Sequence, residues 1–124
     1  MEKKLIRTFR DLIVWQKAME LARGVYRVTK RMPDDERFGL TNQMRRAAVS
    51  VPSNIAEGYC RHGRMDYIRF LKIARGSLAE LITQYELATS MQMMPADSGV
   101  TQLLNDVETL LQSLISSLER PKSG

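Results

Sequence analysis

A single cysteine, Cys60, excludes any disulfide within the chain and suits a reducing compartment. The lone histidine, His62, is separated from it only by Arg61, so a zinc centre lacks ligands. A di-iron bundle requires Glu-x-x-His pairs, which one histidine cannot supply. Ser50 and Ser53 have no histidine nearby to act as base, and glycine-rich phosphate loops and serine-nucleophile signatures are missing. These absences argue against an enzyme and against a bound metal or cofactor. Four prolines and seven glycines in 124 residues leave little room for long loops or a β meander. No apolar run approaches the ~20 residues that span a bilayer. The N-terminal stretch is broken by charges and carries no signal-peptide core. A cytoplasmic protein without membrane contact is expected, with Cys60 a buried or incidental thiol.

What is present is helical periodicity. Val14, Ala18, Leu21, Val25, Val28 and Met32 step by four and three, widened by Trp15 and Ala22. Asp11 is the expected N-cap of this helix, and Pro33 sets its end near Arg31. Pro33-Asp34-Asp35 makes a turn that starts a second helix. There Leu40, Met44, Ala47, Val51 and Ile55 form the apolar face, in phase across Pro52, which predicts a kink there. Tyr67, Leu71, Ala74, Leu78, Leu81, Tyr85 and Ala88 form the third seam. Asp97 or Ser98 caps a fourth helix with Val100, Leu104, Val107, Leu111, Leu114 and Leu118 inward, the seam broadened by Leu103, Leu110 and Ile115. Residues 1–10 read as extended or frayed, and 122–124 as a disordered tail. The pattern predicts one all-α domain, an antiparallel up-down-up-down four-helix bundle with helices near 12–31, 36–59, 65–93 and 98–119.

Two polar features stand apart from the core. Gln43, Arg46, Ser50, Asn54 and Glu57 follow one another at helical spacing beside the apolar face of the second helix. They can face Arg75, Ser77, Glu80 and Gln84 of the third, with Arg46 or Arg75 forked onto Glu57 or Glu80. Packing within or between chains is the leading reading of this network. A small-molecule site between subunits, lined by Arg46, Asn54 and Glu57, is the lesser one. Gly76 and Ser77 fit a close helix approach.

The second feature is charge. A formal net charge of +5 is concentrated in the front half of the chain. Arg23, Arg27, Lys30 and Arg31 fall on or near one face of the first helix. With Arg61, Arg64, Arg69 and Lys72 they can form a phosphate-binding patch. The competing reading is a solvated face that contacts the acidic fourth helix of a neighbouring subunit. Only Tyr26, Tyr59 and Tyr67 interleave the patch, which favours backbone or structured-RNA binding over base stacking.

Three segments carry a family resemblance. They are Phe9-Arg10-Asp11-Leu12 with Val14-Trp15 and Lys17-Ala18, Gly39-Leu40-Thr41 with Gln43 through Gly58, and Phe70-Leu71, Ile73-Ala74, Gly76 through Leu81 and Thr83-Gln84. Together, over about residues 9 to 90, they resemble the 23S rRNA-intervening-sequence proteins. Ile82 departs from the pattern, which usually has an acidic residue there. The resemblance implies a bacterial four-helix bundle with no established enzymatic activity, forming a symmetric homo-oligomer, expected to be a pentamer. Some relatives are encoded within insertions of the large ribosomal RNA gene. The family is also similar to a retroelement accessory protein, a basic pentameric barrel that engages nucleic acid and a reverse transcriptase. Two functions therefore stand open: an RNA- or nucleic-acid-binding oligomer, and a protein–protein adaptor that binds no nucleic acid.

Overall fold

The computed structural model describes residues 5–121, so the expected tail at 122–124 and the first four residues lie outside it. Four α-helices form a bundle: α1 (Ile13–Thr29), α2 (Leu40–Tyr59), α3 (Arg64–Ser90) and α4 (Ser98–Glu119). No strand occurs among the described residues. The seams meet in one core. Leu21, Val25, Met44, Val51, Ile55, Leu71, Leu78, Leu81, Val107 and Leu111 are fully buried in it. Burial of such side chains contributes roughly 1.5–3 kcal/mol each.

Contacts along neighbouring helices run in opposite chain directions. Ser50 of α2 meets Ser77 of α3, while Gly58 meets Tyr67 and Phe70. On α4, Thr101 meets Tyr85, Gln112 meets Arg75, and Leu118 and Glu119 meet Arg64 and Lys72. Arg27 of α1 reaches Asp97, at the start of α4.

Several local expectations are corrected. Asp11 does not cap α1. It closes a 3-10 turn over Phe9–Asp11, taking the backbone N–H groups of Arg7 and Thr8 at 2.9 and 3.1 Å in a capping box with Thr8. The second α-helix starts at Leu40 rather than 36, after a separate 3-10 turn at Asp34–Glu36. Glu36 Oε1 accepts the Leu40 N–H at 3.1 Å and does the capping. Pro52 is buried inside an α2 that continues across it. In α4 the inward row ends on Ile115, fully buried, whereas Leu114 and Leu118 are half-buried. Ile82, the departure from the family pattern, packs against the core. Cys60 is exposed, so of its two expected readings the buried one is set aside and the incidental one stands.

Gly76 is not needed for close approach. A Cβ built on it meets nothing within 4 Å. Gly76→Ala is therefore expected to stabilise the bundle by about 0.5–1 kcal/mol through helix propensity alone, readable as a higher urea midpoint.

Asp97 caps α4. Its Oδ1 accepts the Val100 N–H at 2.9 Å, and its Oδ2 accepts from Arg27 Nη1 at 3.1 Å. The Val100 N–H first, and Arg27 second, hold its carboxyl below its ordinary value of 3.8. A carboxyl depressed in the folded state adds stability above its unfolded value, lost as pH falls through the folded one. Stability should thus decline below about pH 4. Asp97→Asn keeps a capping side chain but cannot titrate. Its stability should fall less between neutral pH and pH 3 than the wild type's, as followed by urea unfolding at both.

Candidate functional site

The polar stripe of α2 and the matching positions of α3 line a groove of about 430 Å³, formed by Asn42, Gln43, Arg46, Ala47, Ser50, Ser77, Glu80 and Gln84. Its floor is a short network: Asn54 Nδ2 donates to the Ser50 carbonyl at 2.8 Å and to Ser50 Oγ at 3.0 Å. Ser50 Oγ and Ser77 Oγ lie 2.7 Å apart. Small hydroxyls let the helices close here, and the bonds satisfy what that closure buries.

Other members go elsewhere. Glu57 pairs with Arg61 at 3.2 Å, one turn on, and Arg75 donates to Gln112 of α4 at 2.8 Å. The expected forks of Arg46 or Arg75 onto Glu57 or Glu80 do not form. Among the described residues, Arg46 and Glu80 have no ion-pair partner within the chain. Gln84 Oε1 is buried and accepts no hydrogen bond, a state it shares only with Thr41 Oγ1 among the described residues. The groove is a half-satisfied polar surface. An unmet acceptor in such a place costs roughly 1–3 kcal/mol.

The basic residues do not form one patch. Arg23, Arg27, Lys30 and Arg31 sit at the end of α1, tied by Arg27–Asp97 to the start of α4. Arg64 and Lys72 reach Leu118 and Glu119, at its end. Twenty-two residues of helix separate the two groups by about 33 Å.

They also differ in kind. On and just after α1 all four cations are exposed, and among the described residues only Arg27 has a carboxylate partner; the acids Asp34, Asp35 and Glu36 follow in the next turn. This ridge runs about 12 Å along the helix, at its electronegative end, where cations are favoured. At the other end Arg61, Arg69 and Lys72 are matched by Glu57, Asp66 and Glu119 at 3.2, 3.5 and 2.8 Å. Arg64 donates to the neutral Leu118 carbonyl at 3.2 Å and keeps its charge uncancelled.

Phe70 escaped the sequence reading of this region. Its ring lies 4.8 Å from the Arg61 guanidinium carbon and 4.6 Å from that of Arg69. Arg69 is its chain neighbour, so half of the contact was readable. The half made by Arg61 depends on how the α2–α3 connection turns. Beside it, Tyr59 and Tyr67 meet edge to face at 6.0 Å. Burial, then Tyr59, pushes the Tyr67 hydroxyl up to about 12, so it is no base at physiological pH. No cluster of three potential metal ligands occurs among the described residues, and no helix there is long and apolar enough to cross a membrane.

Comparison with known proteins agrees with this architecture. A protein of unknown function from the S23 ribosomal protein family of Bacteroides thetaiotaomicron VPI-5482, known from a crystal structure at 1.70 Å, superposes with a TM-score of 0.76. It is 23% identical, and the match covers 84% of this chain and 96% of that one. At that identity the likeness establishes the fold. No curated protein sequence matches. The profile described as 23S rRNA-intervening sequence protein matches residues 10–116. The chain belongs to the 23S rRNA-intervening sequence protein family.

Proposed function

We propose that this protein is a non-catalytic, cytoplasmic homo-oligomer that binds RNA or another nucleic acid through phosphate contacts on α1. The observation that carries the reading is the ridge of Arg23, Arg27, Lys30 and Arg31: four exposed cations in nine residues, one of them paired. Among the described residues Arg23, Lys30 and Arg31 form no ion pair, and releasing counterions from phosphates favours binding by such a surface. The α2–α3 groove supports assembly. Among the described residues Arg46, Glu80 and Gln84 there find no partner, and a second copy can supply one.

The test is a charge reversal on the ridge. Arg23→Glu, Lys30→Glu and Arg31→Glu together should weaken binding to a structured RNA at least 100-fold at low salt, since three phosphate contacts become repulsions. The melting temperature should change little, because these side chains are exposed. Equal binding by the variant and the wild type would overturn the ridge as the binding surface. No binding by either at low salt would leave the adaptor reading in its place.

A further inference from the structure

Arg61 and Arg69 are poorly suited to attract phosphates, because Glu57 and Asp66 cancel their charges. What they do present is flat surface. Each carboxylate lies against one guanidinium, while the side chains remain 46% and 58% exposed. Both guanidinium groups stand within 4.8 Å of the Phe70 centroid. The ion pairs and ring contacts thus set two planar groups beside one aromatic ring. Gly63, at φ +104, ends the connection two residues after Arg61, and a Cβ added there would meet nothing within 4 Å. Guanidinium planes and aromatic faces are what unpaired bases stack upon.

We propose that Arg61, Phe70 and Arg69 form a stacking platform for an unpaired nucleobase. The proposal rests on the nucleic-acid reading above and gives it a preference for single-stranded over duplex segments.

The experiment measures anisotropy of the full-length chain with a labelled single-stranded RNA, a single-stranded DNA of the same sequence, and the duplex of each, at one salt concentration. Either single strand should bind about tenfold more tightly than its own duplex, the effect of one stacked base. The double variant Arg61→Lys/Arg69→Lys keeps both charges and removes both planes. It should abolish that preference while leaving duplex affinity unchanged. If it fails to fold, Arg69→Lys alone should halve the preference or better. RNA and DNA strands separate the two sources of base: a preference in either supports the platform, and in neither overturns it. A preference retained by the lysine variant also overturns it. Binding of duplex and single strand alike defeats the platform only. Absence of binding to every probe defeats the nucleic-acid reading itself.

Discussion

Replacing Gly58 by alanine is expected to destabilise the protein by about 2 kcal/mol. The added Cβ would stand 2.8 Å from Phe70 Cβ and 3.2 Å from both Tyr67 Cδ1 and the Tyr67 carbonyl oxygen. None of these is the free end of a flexible side chain, so α3 itself must move. Overpacking of this kind costs about 1–3 kcal/mol, against a propensity gain of at most about 1 kcal/mol for a helical alanine. For a chain of this size the melting temperature should fall by about 6–10 °C. Gly24 makes the contrast: there the nearest atom is Val100 Cγ2 at 3.1 Å, a methyl that can shift. A Gly58→Ala protein as stable as wild type would mean that α2 and α3 are not in contact where their connection begins.

Arg46→Glu is expected to dissociate the proposed assembly while sparing the fold. Arg46 is exposed and has no partner among the described residues, so unfolding stability should move by no more than about 0.5 kcal/mol. The groove it lines also holds Glu80 and the unmet oxygen of Gln84. Reversal would set a carboxylate beside Glu80 and present an acceptor where a donor is wanted. Like-charge juxtaposition of this kind in an interface costs several kcal/mol, a hundredfold or more in affinity. Light scattering should then report a mass near the 14.2 kDa of one chain, against a multiple of it for the wild type. An unchanged oligomer would show that copies join through a different face.

Periodicity made the bundle legible. Every residue of the α1 seam is buried, because a heptad row has one way to face a core. The start of α2 was less so. The acids at 34–36 make a good helix start, but they close their own 3-10 turn, and the side chain of Glu36 begins the next helix. At the end of the α4 row Ile115, expected to flank the seam, lies deeper than Leu114, because both are apolar and only packing selects between them. Of the polar stripe, the sequence announced the two faces that meet, and Ser50, Asn54 and Ser77, too short to reach elsewhere, do bond there. It could not announce Glu57 and Arg75, whose long side chains reach in several directions. The basic residues mislead for a topological reason: the groups at 23–31 and 61–72 lie at opposite ends of α4, so likeness of charge carried no information about nearness.

The most direct test of the nucleic-acid reading is the salt dependence of binding by the wild-type chain to one structured RNA. Each neutralised phosphate contributes roughly 0.7–0.9 to the slope of log K against log salt. Four ridge cations should give a slope near −3. A slope close to zero, or no binding at the lowest salt, would contradict the account.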